Sequence, residues 1–157
     1  MNIAVISNGT FNEEYYKEYF NSCDDTKLCC VCLVDDELPE GDYDVIAVDY
    51  YNENFSPAKL NYLSEQHPES IIMVLSDVDF ENDNFEKEEK ILKKFSVEYS
   101  TCYNIKDSNA KDFYNFAQEM INIKNECETE APYSISVILS VVAIVALILL
   151  GILHYFH

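Results

Sequence analysis

A chain of 157 residues with 48% hydrophobic content is long enough for one domain of ordinary size with a substantial core. Ten Lys, no Arg and 29 Asp or Glu give a formal net charge of -19, and every one of these charges precedes Pro132. That balance excludes nucleic acid as a partner, because counterion-release binding needs clustered Lys or Arg, and the missing Arg removes the usual bidentate grip on phosphate and carboxylate groups.

The first predicted strand is "NIAVIS" (2–7), followed by the turn "SNGTFNEEYY" (7–16) and a helix over Asn12 to Phe20. In many α/β proteins this strand-to-helix turn holds a phosphate. A phosphate loop needs Gly-x-x-x-x-Gly-Lys-Ser/Thr so that bare backbone N–H groups wrap the phosphates. Here there is one glycine, Gly9, and no Lys before Lys17. Glu13 and Glu14 stand in the first helical turn, where their carboxylates meet the positive end of the dipole and are expected to repel an anion.

The second strand is "LCCVCLV" (28–34). Its Cys29-Cys30-Val31-Cys32 contains Cys-x-x-Cys, but a strand setting with no second ligand pair predicts buried small hydrophobes rather than redox or zinc chemistry. The connection "DDELPEG" (35–41) is too short for a crossover helix. "DVIAVD" (44–49) is the third strand and ends in Asp49. Ser56 as cap and Pro57 as first helical residue open a helix to about His67. "SIIMVLS" (70–76) is the fourth strand, Phe85, Ile91, Leu92 and Phe95 mark one side of a helix, and "EYSTCY" (98–103) is the fifth strand. Phe113, Phe116, Ala117, Met120 and Ile121 recur at i, i+3, i+4, i+7, i+8 in a closing helix capped by Ser108 or Asn109.

The strands read as continuous apolar runs, as expected when both sheet faces are covered. Alternating with helices, they predict an α/β fold with a three-layer, doubly wound, mostly parallel sheet of about five strands. The head spans 1–124, an acidic linker 125–132, and an apolar tail 133–157. From Ile135 to Leu153 no residue is charged, and nineteen helical residues span roughly the 30 Å hydrocarbon layer.

A single transmembrane tail anchor is therefore expected, with Ile135, Leu139, Val142, Ile144, Leu147, Leu150 and Leu153 along it. The amino terminus has no basic region leading an apolar stretch, so no signal peptide is predicted and the head is placed in the cytosol, where its six Cys stay reduced. The tail "HYFH" carries no Lys or Arg, which favours the endoplasmic reticulum and secretory pathway over the mitochondrial outer membrane. Cys127 reads as a plain linker residue. His67, His154 and His157 have no evident Ser, Cys or carboxylate partner, so no catalytic set and no metal site are predicted.

From Tyr43 to Lys124 the chain resembles the second half of a Ras-like, especially Rab-like, small GTPase. "YDVIAVDYYNENFSPAKLNYLSEQHPESIIMVLSDVDF" is similar to that family's Asp-ended strand, its following helix and the strand leading to the guanine-reading Asn-Lys-x-Asp. "VEYSTCYNIKDSNAKDFYNFAQEMINI" is similar to its last strand, Ser-Ala-Lys loop and closing helix. The resemblance implies a P-loop GTPase-like fold with nucleotide-site remnants at Gly9, Asp35 and Asp79. Ser76-Asp77-Val78-Asp79 keeps only the last Asp of the guanine motif, Thr101-Cys102-Tyr103 replaces Ser-Ala-Lys, and Asp35-Asp36-Glu37-Leu38 has lost the Gly of Asp-x-x-Gly. The segments that γ-phosphate contacts would order are missing as well. The resemblance thus implies a pseudo-GTPase without nucleotide, a docking platform on a cytosolic membrane face in membrane traffic, binding the membrane through its C-terminal helix and a basic protein partner through its acidic surface.

Two alternatives accompany it. One is a divergent switch binding GTP or GDP with Mg²⁺, in which Asp79 still reads the base. The other is a degenerate phosphorelay receiver domain, which "DYDVIAVDYYNEN" also resembles. There Asp49 is the phosphoacceptor, Ser76 the hydroxyl residue and Lys106 the phosphate-sensing Lys, but Ser7 and Asn8 stand where receivers carry an acidic Mg²⁺-binding pair.

Overall fold

The computed structural model of the chain describes residues 1–52, 55–77, 93 and 100–127. The chain divides into a unit Met1–Ile121, which holds the whole sheet, and a unit Asn122–His157, of which residues 122–127 are described as helix. Five strands form one sheet: β1 Asn2–Ser7, β2 Lys27–Leu33, β3 Val45–Asp49, β4 Ile71–Leu75 and β5 Ser100–Tyr103. Their order is β2-β1-β3-β4-β5 and every pairing is parallel. The expected doubly wound α/β sheet is thus present, and all of its described strand pairs are parallel.

Helix α1, Glu13–Asn21, joins β1 to β2, and α2, Pro57–Gln66, joins β3 to β4. Asn12 caps α1 by accepting the Tyr15 N–H at 2.8 Å. Ser56 occupies the cap of α2 with Pro57 behind it; its backbone carbonyl, not its hydroxyl, takes the first helical N–H groups. The closing helix α3 begins at 110, and Asn109 is its cap, with Oδ1 accepting from Lys111 and Asp112. Between β2 and β3 the residues 34–44 form no helix, as their length requires. The expected helix around Phe85 to Phe95 lies outside the described residues.

Each sheet face has its own core. Ala4, Ile6, Ile46, Val48, Ile72 and Val74 pack with Leu60 and Leu63 of α2 and with Tyr43 and Phe55. Ile3, Val5, Val45, Ala47, Met73 and Leu75 pack with Tyr16 and Phe20 of α1 and Phe113 and Ala117 of α3. The alternation of odd and even strand residues between these clusters is the two-residue period of a strand covered on both faces. At about 1.5–3 kcal/mol for each large apolar side chain removed from water, these two layers are the main stabilising term.

The edge departs from expectation. β2 was predicted as a buried strand, but it lies at the sheet margin with Cys29 exposed and Cys30 and Cys32 half-buried. With no helix between β2 and β3, Val34, Leu38 and Tyr43 are the apolar residues of that connection that pack on this face. No disulfide joins any of the six Cys. Burial, and then the adjacent Cys30, pushes the Cys32 thiol up to about 11, which disfavours the thiolate that redox chemistry needs.

The expected membrane-spanning helix lies outside the described residues. Among the described residues no helix is long and apolar enough to cross a membrane. The run Ile135 to Leu153, with Leu139, Val142, Ile144, Leu147 and Leu150, lies outside them.

Phe113 is fully buried, with its ring 5.0 Å from Phe20 and 5.2 Å from Tyr103. Phe113→Ala should therefore cost about 3–5 kcal/mol of unfolding free energy, read from urea titrations of the full chain; a loss under about 1 kcal/mol would contradict the packing of α3 on the sheet.

Candidate functional site

In open α/β sheets with this strand order, ligands bind outside the carboxyl ends of the strands, near where the order reverses. Here that point lies between β1 and β3, and its central group is Asp49. The side chain ends an otherwise apolar strand and is fully buried. A carboxylate removed from water costs several kcal/mol unless it is hydrogen-bonded, and both of its oxygens are.

Oδ2 accepts the backbone N–H groups of Asn8 and Thr10, each at 3.2 Å, and the Tyr16 hydroxyl at 3.0 Å. Oδ1 accepts the Thr10 hydroxyl at 2.8 Å and the Tyr51 N–H at 3.3 Å. Asn52 in turn donates to the Thr10 hydroxyl at 3.0 Å. The β1–α1 turn that could have wrapped a phosphate instead wraps a carboxylate of its own chain. Gly9 enables this with φ +78°, a left-handed conformation that glycine adopts without strain, and its N–H is held by the Ser7 hydroxyl at 3.2 Å.

The internal anion is therefore Asp49, not Glu13 and Glu14. Those two are exposed, and Glu13 pairs with Lys17 at 2.7 Å, so they stabilise the helix end. Thr10, Tyr16 and Tyr51 were not singled out from the sequence. Tyr16 had a clue, since it falls one turn before Phe20 on the inward side of α1, and a buried phenol must find an acceptor.

The other residues of the crevice are also engaged. The Tyr51 hydroxyl accepts the Ile105 N–H and donates to Asn104 Oδ1, both at 2.9 Å. Phe11 stacks on Tyr15 at 4.2 Å and meets Tyr51 edge-on at 5.3 Å. Lys106 is exposed; its Nζ lies 4.0 Å above the Tyr51 ring and 2.9 Å from Asp77. It is thereby committed to Asp77 and the aromatic face rather than to Asp49. Ser76 is buried, and its hydroxyl has no hydrogen-bond partner among the described residues.

Asp35 is exposed in the turn after β2, and Asp79 lies outside the described residues. His67 caps α2 against the Tyr43 ring at 5.7 Å. It borders a cavity of about 420 Å³ with Asn2, Asp42, Asp44 and Glu69, which opens at the amino ends of the strands, opposite the crevice.

A Mg²⁺ ion, which both alternatives would require, does not fit these residues. Ser7 and Asn8 offer no carboxylate, both Asp49 oxygens are taken, and among the described residues no group of three His, Cys, Asp or Glu could hold a metal.

Three phenols tie the crevice together, and their titration follows from burial. Burial, then the Asp49 charge, pushes the Tyr16 phenol far above its ordinary value of 10.0. Burial raises Tyr19 and Tyr51 in the same direction, against the lowering effect of their hydrogen bonds. Each keeps its proton in the fold at a pH where the unfolded chain loses it. Their contribution is present in full below about pH 10 and is lost as pH rises beyond it. Urea midpoints should fall from about pH 10 upward, and Tyr16→Phe should flatten that fall; an unchanged slope in the variant would contradict the buried Tyr16–Asp49 contact.

No protein-family model matches the chain, and no match to a curated protein was found. The chain is similar to the crystal structure of the response regulatory domain of protein mrkE from Klebsiella pneumoniae, at 11% identity over 80% of this chain and 99% of that one, with a TM-score of 0.45. The resemblance to a Ras/Rab-like small GTPase is corrected by the fold itself: the all-parallel order β2-β1-β3-β4-β5 is that of the flavodoxin-like doubly wound class, and the turn expected to carry phosphate-loop remnants spends its Asn8 and Thr10 amides on Asp49.

Proposed function

We propose that the head is a receiver-like protein-binding module without phosphotransfer, in which Asp49 has become a structural anchor, and that the run Ile135 to Leu153 holds it on a cytosolic membrane face of the secretory pathway. The observation that carries the first part is the double saturation of the Asp49 carboxylate by Asn8, Thr10, Tyr16 and Tyr51. A phosphoacceptor must present one oxygen to an incoming phosphorus and another to a metal. Asp49 presents neither without breaking the bonds that close the β1–α1 turn.

The membrane part rests on the sequence alone, on the length and composition of the apolar run. The strongly acidic head supports a partner with a basic surface, since complementary charge steers association and rejects like-charged competitors.

Incubating the full chain with acetyl phosphate and Mg²⁺ should leave no hydroxylamine-labile phosphate on Asp49. Asp49→Asn should lower the unfolding free energy by about 2–4 kcal/mol, because in either orientation its NH₂ faces a backbone N–H that can only donate, that of Tyr51 on one side or those of Asn8 and Thr10 on the other. Labelling at Asp49, or an Asp49→Asn chain as stable as the parent, would overturn the anchor reading. A glycan at Asn8, within Asn8-Gly9-Thr10, would place the head in the lumen and overturn the cytosolic one.

A further inference from the structure

Edge strands expose unpaired N–H and C=O groups, and proteins ordinarily protect them with charges, Pro, very short length or a covering helix. β2 is the edge of this sheet, pairing with β1 alone among the described residues. It is a seven-residue strand, Lys27–Leu33, whose last six residues carry no charge and no Pro. The one irregularity is a bulge near its start, where Ile3 pairs with Leu28 and Ala4 with Cys30, leaving Cys29 extra. Beyond it Cys30–Leu33 runs in regular register. The crossover helix that would normally shield such a strand is absent from 34–44.

Both faces of this margin are apolar and incompletely covered. Cys30 and Cys32 are half-buried on the α2 face, Val31 is half-buried on the α1 face, and Leu33 is 60% exposed. Acidic residues stand at both ends of the strand: Asp24 before it, and Asp35, Asp36 and Glu37 after it, all exposed. Asp25 is already paired with Lys111.

We propose that β2 is a strand-addition site, which takes an extended segment of a partner protein with alternating apolar side chains and Lys or Arg at both flanks. Backbone pairing along Cys30–Leu33 would supply affinity, and the acidic ends would select the charge of the flanks. A second copy of this chain does not fit. Antiparallel pairing of β2 with itself brings Asp24 of one copy toward Asp35 and Asp36 of the other, and like charges brought together across a pairing are destabilising. This assignment rests on the reading of the head as a binding module, and it names where that module binds.

The test uses the full chain in detergent micelles and an end-blocked peptide, Lys-Lys-Thr-Val-Thr-Val-Thr-Val-Lys-Lys. Amide exchange should slow within Cys30–Leu33, and binding should be at least about tenfold tighter than for the same peptide with Glu flanks. A central Pro in the peptide should abolish the protection. Leu33→Lys, at an exposed position, should weaken binding about tenfold without moving the urea midpoint. Equal binding of the Glu-flanked peptide, protection elsewhere in the sheet, or β2 protection that appears with dimer formation in the absence of peptide would overturn the proposal. Phosphate labelling of Asp49 would overturn the anchor reading and leave this result standing, so the two failures are distinguishable.

Discussion

The burial of one carboxylate at the end of a central strand sets the terms for the whole upper edge of this molecule. Asp49 sits between two apolar layers, where it must be surrounded by donors. The chain supplies them from three directions: the β1–α1 turn, the inner side of α1 through Tyr16, and the start of the β3–α2 connection through Tyr51. Tyr51 then extends the tie to the loop after β5 through Asn104 and Ile105. Loops that in other doubly wound proteins stand open around a ligand are here bound to each other.

This arrangement is the physical basis of the proposed absence of phosphotransfer. The geometry suited to holding an anion is present: a turn with a left-handed glycine, converging amides and a helix start. Its anion comes from within the chain, so an external phosphate would compete with a covalently tethered carboxylate at very high local concentration. Lys106, which could have compensated added charge, is drawn to Asp77 and to the face of Tyr51. The Ser76 hydroxyl is buried without a partner among the described residues.

The β2 margin of the sheet is open among the described residues. A short acidic connection replaces a helix, and an apolar strand is left at the edge between clusters of carboxylates. In the proposed reading the two features are complementary: a closed crevice gives a rigid scaffold, and an open edge gives that scaffold a surface on which main-chain hydrogen bonds can form.

The class of fold was legible in the sequence because strand and helix periodicities are local. Continuous apolar runs marked the five strands, Ser56-Pro57 and Asn109 marked helix starts, and the length of 35–41 ruled out a helix there. The single glycine of the turn around Gly9 and its missing Lys were likewise visible, and they set the expectation that phosphate is unwelcome there. What the sequence could not decide was which carboxylate occupies the site, because Asp49 and Thr10 are 39 positions apart and meet only when β1 and β3 pair. For the same reason it led to a GTPase resemblance, which rests on strand and helix order that several doubly wound folds share. It also left β2 reading as a buried strand, since an apolar run looks alike at the centre and at the edge of a sheet. Position in the sheet is a matter of long-range pairing, and only the tertiary structure settles it.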